Sequence, residues 1–309
     1  MKKSKLADIL FKTFIITVLA IYSLGIIYLL VWGLQTSFKS RLDFLFNGNV
    51  VGLPSWEYSK DEILFGNYKL AFELFEVPAS VIFYSGNTLV KHQTDSNLLT
   101  MLFNTVVYAG LSCILPTIVC YTVAYLCSKY KFPFSKFVYV FALFMMSVPT
   151  VGTYPAEITL LRGIGVYDTY FCHVLQKFTF GGMYFFVFHA FFESMSDSYS
   201  EAAELDGASQ FRIYFSIIIP LGIKMISTVM LIHFVTYWND YQAPLLYTPT
   251  LPTISYGVYH LCNVAGNAKL KTTPGMVTCC MLLAVPIFIV FVAFKEKLMG
   301  NISMGGEKG

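Results

Sequence analysis

The sequence predicts an all-α integral membrane protein with six membrane-spanning helices. Three observations support this prediction. Only 13% of the 309 residues are charged, whereas a soluble domain carries about 25%. Apolar runs recur at the length of about 20 residues that a helix needs to cross a bilayer. Lysine and arginine concentrate in alternate connections between these runs, as they do on the cytoplasmic side of membrane proteins.

The first apolar run, Phe14–Leu34, is the clearest membrane span. It contains no charged residue and thirteen Leu, Ile, Val or Phe residues, each of which favours insertion by roughly 0.3–0.6 kcal/mol. The basic residues in 1–13 are also typical of a signal peptide. The run exceeds the roughly 7–15 residues of a signal-peptide core, however, and no small-residue cleavage site follows it. We therefore expect a retained helix after a cytoplasmic N-terminus, residues 1–13.

A long connection, residues 35–97, follows the first span. It has mixed charges and several aromatic residues. Connections of this length without secondary structure are uncommon in compact domains. We therefore expect a folded extracytoplasmic element here.

Five further runs fill residues 98–294, which are predicted to form the core of the protein. Their approximate bounds are Leu98–Cys127, a run that begins near Phe137 and meets Pro149, Phe171–Phe192, Ile223–Leu246 and Met276–Phe294. Pro116 lies inside the second span, and Lys177 with Gly181 and Gly182 disturbs the fourth. Such breaks are tolerated where neighbouring helices satisfy the freed carbonyls, and broken helices also line transport paths. A kink used only for packing is the other interpretation of each proline.

The basic residues set the predicted orientation. With the N-terminus inside, twelve lysines and arginines fall in the inner segments, and four fall in the short outer connections. The long first connection counts little, because long loops are translocated largely regardless of their charge. Both termini and the connection between spans four and five are therefore predicted to be cytoplasmic.

The connection between spans four and five, residues 196–222, is amphipathic. Ser200 is predicted to cap a helix that begins at Glu201. Glu201 and Glu204 then lie in the first turn, where the helix dipole favours carboxylates. The two alanines that follow Glu201 leave a small surface that another protein can approach closely. Gly207 is predicted to end or bend this helix.

A second helix is predicted after this glycine. Phe211, Phe215 and Ile218 recur at helical spacing and are predicted to pack it against the base of the membrane domain. Pro220 is predicted to mark the turn into span five.

The order of residues in this connection resembles the EAA loop of ABC importer permeases. The matching residues are Glu201-Ala202-Ala203, Asp206-Gly207-Ala208, Ile217 and Pro220-Leu221. In that family the loop forms a coupling helix that docks into a cleft on the ATP-hydrolysing subunit. The resemblance implies that Glu201 offers its carboxylate to the ATPase and that Gly207 permits the turn. The residues it assigns to ATPase coupling are Glu201, Ala202, Ala203, Asp206, Gly207, Ala208 and Pro220. An interfacial amphipathic helix is the alternative.

Other motifs resemble the carbohydrate-uptake, maltose-transporter-type members of that family. They are Asn104-Thr105 in span two, Gly165-Val166-Tyr167-Asp168-Thr169 before span four, Trp238-Asn239-Asp240-Tyr241 in span five, and the glycine-rich residues 295–309. The resemblance implies a gate or pathway role for Trp238, Asn239, Asp240 and Asn104. It also implies that the cytoplasmic tail docks on the ATPase subunits through Gly300, Gly305, Lys308 and Gly309. Disorder at a chain terminus is the alternative for the tail.

The resemblance as a whole implies the permease subunit of an ATP-driven importer for a sugar or oligosaccharide. Its location would be the bacterial cytoplasmic membrane, as a multi-pass protein. The implied partners are a second homologous permease subunit, two ATP-binding subunits, an extracytoplasmic solute-binding protein and the lipid bilayer. This chain would bind no cofactor, and the partner ATPase would use ATP and magnesium. A permease for another polar solute, or a stand-alone secondary transporter, is the alternative.

Several function classes lack sequence support. No GxxxxGK[ST] loop, converging catalytic set or metal-ligand spacing is present, so neither catalytic nor metal-binding residues are predicted. The net charge of +3 is too small to indicate a nucleic-acid partner. Ionisable groups inside spans are functional candidates by default, and here Asp240 and Glu157 are the clearest, followed by His189 and His233. Helix–helix contact is the expected role of the two histidines. A disulfide between Cys172 and Cys262 stays open, because sequence spacing does not show proximity.

Overall fold

The computed structural model describes residues 2–45, 48–55, 65–85, 88–130, 132–148, 152–264 and 266–299. Helices predominate in this part of the chain, with one pair of strands. The helices are α1 (Lys2–Ser37), α2 (Arg41–Leu45), α3 (Gly66–Leu74), α4 (Leu98–Lys129), α5 (Pro133–Ser147), α6 (Tyr154–Gly163), α7 (Tyr170–Lys177), α8 (Met183–Ser194), α9 (Ser198–Leu205), α10 (Gln210–Ile213), α11 (Ile219–Trp238), α12 (Gln242–Tyr247), α13 (Ile254–Asn263) and α14 (Thr273–Met299). The strands are β1 (Glu76–Ser85) and β2 (Thr88–Asn97), and a π-helical turn covers Tyr214–Ile218.

Four helical stretches among the described residues are long and apolar enough to cross a membrane. They are Asp8–Ser37, Leu98–Lys129, Gln210–Trp238 and Thr273–Ala293, and they correspond to the predicted first, second, fifth and sixth spans. The third predicted span corresponds to α5, whose 15 residues extend only about 22 Å. Pro149 lies outside the described residues. The fourth is interrupted between α7 and α8, at the lysine and glycines that disturb its sequence.

The predicted turn at Pro220 is wrong. Helix α10, the π-helical turn and α11 form one continuous helical stretch, Gln210–Trp238. The N–H of Ile219 bonds to the carbonyl of Tyr214, five residues earlier, which is the π-helical pattern. Pro220 lies directly after this π-helical turn, where the regular i→i−4 pattern of backbone hydrogen bonds is already interrupted. The membrane helix therefore begins earlier than the sequence indicates.

The prediction of an all-α fold is wrong for the long first connection, although the expectation of a folded element there is confirmed. Residues 76–85 and 88–97 form the two strands of an antiparallel β-hairpin, paired from Glu76 opposite Asn97 to Ser85 opposite Thr88. Strand β2 shows alternating exposure, with Val90, His92, Thr94 and Ser96 on the more buried side. This period of two residues is that of a strand with one covered face.

Two compact units divide the chain: residues 1–75 with 258–285, and residues 76–257 with 286–309. In the first unit, α1 meets the start of α14. The Thr278 hydroxyl donates a hydrogen bond of 3.1 Å to the Ser37 carbonyl oxygen. A Cβ added to Gly33 would lie 2.9 Å from Cε of Met281, so glycine permits the close approach of these helices there.

The second unit is built around α4, which packs against α5, α7, α8 and α11. Its core is largely aromatic. The ring of Tyr121 is fully buried and lies 5.2 Å from that of Phe188 and 4.8 Å from that of Phe192, both in edge-on arrangements. The EAA-like connection packs on this aromatic cluster through Ala203 and Ala208.

Candidate functional site

The EAA-like connection forms a helix, a tight turn and a second helix. Helix α9 begins at Ser198, so the prediction that Ser200 caps a helix starting at Glu201 is wrong. The N–H groups of Ser200 and Glu201 instead bond to the Asp197 carbonyl, at 2.9 and 3.0 Å. Glu201 still lies in the first turn, where its carboxylate is favourably placed against the helix dipole.

Gly207 ends α9, as predicted, and has a φ of +78°. Its N–H bonds to the Glu204 carbonyl at 2.9 Å, and the Ala208 N–H bonds to the Ala203 carbonyl at 2.9 Å. This pair of bonds is the Schellman termination, which requires a left-handed residue at the glycine position. Ala203 and Ala208 are partly buried and pack on the aromatic core. The turn therefore has a defined shape, anchored on its inner side by these two alanines.

The outer surface of the turn is exposed. Glu201, Ala202 and Asp206 all face solvent, and Leu205 is 90% exposed. The carboxylate of Glu201 makes no hydrogen bond or ion pair with any residue that the structure describes. Leu205 follows Glu201 by four residues, so both side chains lie on the same face of α9.

Side-chain bonds fix α9 to its neighbours. The Gln210 amide donates to the Glu204 carboxylate at 2.7 Å, and the Tyr130 hydroxyl donates to the Gln210 side-chain oxygen. Lys129, at the end of α4, donates to the Met195 carbonyl at 2.5 Å and to the Asp197 carboxylate at 2.6 Å. These bonds connect the start of α9 with the end of α4.

The residues after the turn differ from expectation. Phe211 and Phe215 are 79% and 62% exposed, so the prediction that they pack on the base of the membrane domain is wrong for them. Ile213 and Ile218 are buried instead, and Ile218 is the one predicted contact that is confirmed. The π-helical turn changes the helical register between these positions, which a regular period of 3.6 residues does not anticipate. Pro220 itself is exposed.

The four residues predicted for the gate or pathway do not form one cluster. Trp238 is buried against the ring of Phe234, and the side-chain amide of Asn239 bonds back to its own helix. The Asn104 amide donates to the Pro252 carbonyl at 3.0 Å and its oxygen accepts from the Tyr170 hydroxyl at 2.6 Å. Asp240 lines a polar cavity.

Asp240 holds together the corner between α11 and α12. Its Oδ1 accepts hydrogen bonds from the N–H groups of Gln242 and Ala243, at 2.9 and 3.2 Å, and thereby satisfies the first donors of α12. Its Oδ2 accepts from the Tyr108 hydroxyl at 2.6 Å. All three of these donors are neutral groups.

Asp240 shares a cavity of about 290 Å³ with residues of α6, α7 and α12. The polar lining consists of Tyr154, Glu157, Gln176, Lys177, Asp240, Gln242 and Tyr247. The Tyr247 hydroxyl donates to the Glu157 carboxylate. Burial, and then this hydrogen bond, raise the pKa of Tyr247, so the phenol stays a proton donor at neutral pH. The ammonium of Lys177 lies 4.2 Å from the ring centroid of Tyr237.

Most of this cavity was not predicted as a site. The sequence identifies Glu157 and Asp240 as ionisable residues in apolar surroundings, whereas it presents Lys177 as an interruption of a span. The same criterion, a charge inside an apolar segment, identifies Lys177 as well. No comparable signal marks Tyr154 or Gln242, because neither side chain is charged and tyrosine is common at membrane interfaces.

The two histidines predicted from the sequence lie at contacts between helices. His233 contacts Thr117 of α4 at 3.0 Å, and the ring of His189 lies 4.9 Å from that of Tyr139 in α5, so the predicted helix-contact role of both histidines is confirmed. Cys172 and Cys262 are both free thiols. The tail residues Gly300, Gly305, Lys308 and Gly309 lie outside the described residues.

Comparison with known proteins identifies the family. The chain is 28% identical over 248 residues to the maltodextrin transport system permease protein MdxG of Bacillus subtilis, covering 77% of this chain and 87% of that one. It is 22% identical over 295 residues to the diacetylchitobiose uptake system permease protein NgcG of Streptomyces coelicolor, covering 93% and 86%.

The fold is also similar to that of a solved structure. A chain of a bacterial ABC transporter involved in the import of the acidic polysaccharide alginate superposes with a TM-score of 0.73 at 21% identity, covering 94% of this chain and 97% of that one. Residues 119–298, more than half of the sequence, match the family described as the binding-protein-dependent transport system inner membrane component. This chain therefore belongs to the family of inner membrane components of binding-protein-dependent transport systems.

Proposed function

We propose that this chain is the permease subunit of an ATP-driven importer and forms half of the translocation path for a sugar or oligosaccharide. Membership of the family supports the importer, and relatives named for maltodextrin and diacetylchitobiose transport support the sugar. The partners are a second homologous permease, two ATP-binding subunits that use ATP and magnesium, and an extracytoplasmic solute-binding protein. This chain hydrolyses no ATP.

The observation that supports the coupling role is the turn at the end of α9. Its outer surface is exposed, and its inner side is packed on the aromatic core. Leu205 is 90% exposed at its tip, and Glu201 lies on the same helix with its carboxylate available. In the proposed complex Leu205 enters an apolar part of the ATPase cleft and Glu201 pairs with a basic residue there. Ala202 and Asp206 complete the small surface around them, and Ala208 holds the turn from its inner side.

The bonds behind this surface provide the mechanism. Closure of the ATPase dimer moves α9, and the bonds of Lys129 to Met195 and Asp197 transmit that movement to α4. The continuous stretch Gln210–Trp238 transmits it to the far end of the membrane domain, where Asp240 fixes the corner. When rigid helices rotate as the ATPase dimer closes, the translocation path opens to one side of the membrane and closes to the other.

The membrane topology of the proposed subunit has six spans, with both termini and the EAA-like loop, residues 196–222, in the cytoplasm. The segments are residues 1–13 inside, 14–34 as the first helix, 35–97 outside, 98–294 as the core permease domain and 295–309 as the inner tail. Helix α5 and the interrupted pair α7 and α8 supply the two spans that are not long continuous helices. Interrupted helices are tolerated there if they are enclosed by protein. The tail docks between the ATPase subunits.

The test is association with the ATPase. We expect Leu205→Ala and Glu201→Ala each to weaken binding of the purified ATPase subunit by at least about tenfold, because anchors at the centre of an interface carry most of its energy. Leu160→Ala and Glu193→Ala are the controls, since both side chains are also exposed but lie elsewhere on the second unit. Full association and full binding-protein-stimulated ATP hydrolysis in both loop variants would contradict the coupling proposal.

A further inference from the structure

The polar cavity at the end of α11 carries an inference about the substrate. It is lined by one ammonium, Lys177, and two carboxylates, Glu157 and Asp240, so its formal charge is −1. Neither carboxylate forms an ion pair within 4 Å among the described residues. An anionic ligand placed here therefore meets net repulsion, whereas a neutral polar ligand does not.

The cavity also has unused hydrogen-bonding capacity. The Glu157 carboxylate accepts one bond, from Tyr247, although a carboxylate offers about four acceptor sites. The Lys177 ammonium has three donors and makes no hydrogen bond with any residue that the structure describes. Donors and acceptors side by side suit hydroxyl groups, each of which both donates and accepts.

The volume of the cavity and the aromatic ring of Tyr154 further restrict which ligands fit. The volume of about 290 Å³ corresponds to roughly ten water molecules and lies at the lower end of ligand pockets. It accommodates one sugar ring, and the cavity is open, so further rings of an oligosaccharide would lie outside it. Tyr154 is 44% exposed and stands edge-on to Tyr247, with the ring centroids 6.4 Å apart. The negative face of such a ring attracts the weakly positive C–H groups of a pyranose.

We propose that this cavity is a subsite for a single neutral pyranose ring and discriminates against uronic acids. Glu157 accepts hydrogen bonds from the sugar hydroxyls, Lys177 donates to them, and Tyr154 packs against the ring. The subsite rests on the proposed sugar-import function and specifies its substrate class. It sets this chain apart from its structural neighbour, which belongs to a transporter of the acidic polysaccharide alginate.

The experiment uses the whole complex, with both permeases and the ATPase dimer, in nanodiscs of phosphatidylcholine, which carries no sugar headgroup. Equilibrium binding is measured without the solute-binding protein, with radiolabelled maltotriose, galactotriose and chitotriose as neutral probes and trigalacturonate as the acidic one. We expect at least one neutral trisaccharide to bind about tenfold or more tightly than trigalacturonate. Tyr154→Ala should weaken its binding by roughly 2–12-fold, the range of one lost aromatic contact.

The variant Glu157→Gln tests whether the charge of the cavity, rather than its shape, sets the preference for a neutral ligand. The isosteric change removes the net negative charge, so we expect the preference for the neutral probe to narrow by about tenfold, an effect that a purely structural role would not produce. Glu193→Gln, an exposed carboxylate on α8, should match the wild type. Tight trigalacturonate binding, no binding of any neutral probe, or unchanged affinities in both cavity variants would each overturn the subsite. If the wild-type complex shows no stimulation of ATP hydrolysis by the binding protein, that result would instead contradict the proposed function.

Discussion

Gly207 offers the sharpest test of how the coupling turn is built. Its φ of +78° is required for the Schellman termination of α9, and a Cβ added there would meet no atom within 4 Å. A substitution at this position therefore perturbs the backbone conformation without a steric clash. The series Gly207→Asn, Gly207→Ala and Gly207→Pro imposes increasing conformational cost on the same turn.

The magnitudes follow from the backbone alone. Alanine in the left-handed region costs roughly 1–2 kcal/mol, which lowers the population of the native turn by about 5–30-fold. Asparagine costs less, because its side chain tolerates this region. Proline fixes φ near about −65° and removes the N–H that bonds to the Glu204 carbonyl, so the turn cannot form.

The assay is binding-protein-stimulated ATP hydrolysis by the reconstituted complex, together with co-purification of the ATPase. We expect stimulation to fall in the order wild type, Asn, Ala, Pro, while membrane insertion stays unchanged. Gly163→Ala is the matched control, since an added Cβ there also meets no atom within 4 Å and its φ is not positive. Full stimulation in Gly207→Pro, or equal loss in the control, would refute the assignment of this turn to coupling.

Two further predictions concern positions away from the turn. In Gly222→Ala the new Cβ would lie 2.0 Å from Oη of Tyr121, so we expect a loss of roughly 1–3 kcal/mol in stability. Adding Tyr121→Leu should recover part of the lost stability, because it removes the clashing hydroxyl. If the change in melting temperature of the double variant equals the sum of the changes in the two single variants, this contact is disproved. Asp168 has a φ of +60° and accepts bonds from the N–H and hydroxyl of Thr250, at 3.0 and 2.7 Å, beside His92. Asp168→Ala should therefore speed protease cleavage of the β-hairpin in right-side-out vesicles more than Asp168→Asn does, and equal rates would contradict it.

Much of the membrane organisation was predictable because it depends on local composition. Apolar runs of sufficient length mark α1, α4 and α14 directly, since insertion energy adds residue by residue along a helix. The glycine that ends α9 was also predictable, because few other residues adopt its conformation. The π-helical turn before Pro220 was not, since its register depends on contacts such as the bond of 2.6 Å from the Tyr121 hydroxyl to the Ile218 carbonyl.

The sequence by itself determined the membrane class, the loop that resembles a coupling helix, and single charged residues of interest. Only the tertiary structure brought Glu157, Lys177 and Asp240 into one cavity and left Leu205 exposed at the tip of the turn. The three cavity residues come from α6, α7 and the end of α11, and no periodic pattern relates their positions. Helix formation is local and can be inferred from neighbouring residues, whereas a site assembled between helices depends on packing across the whole unit.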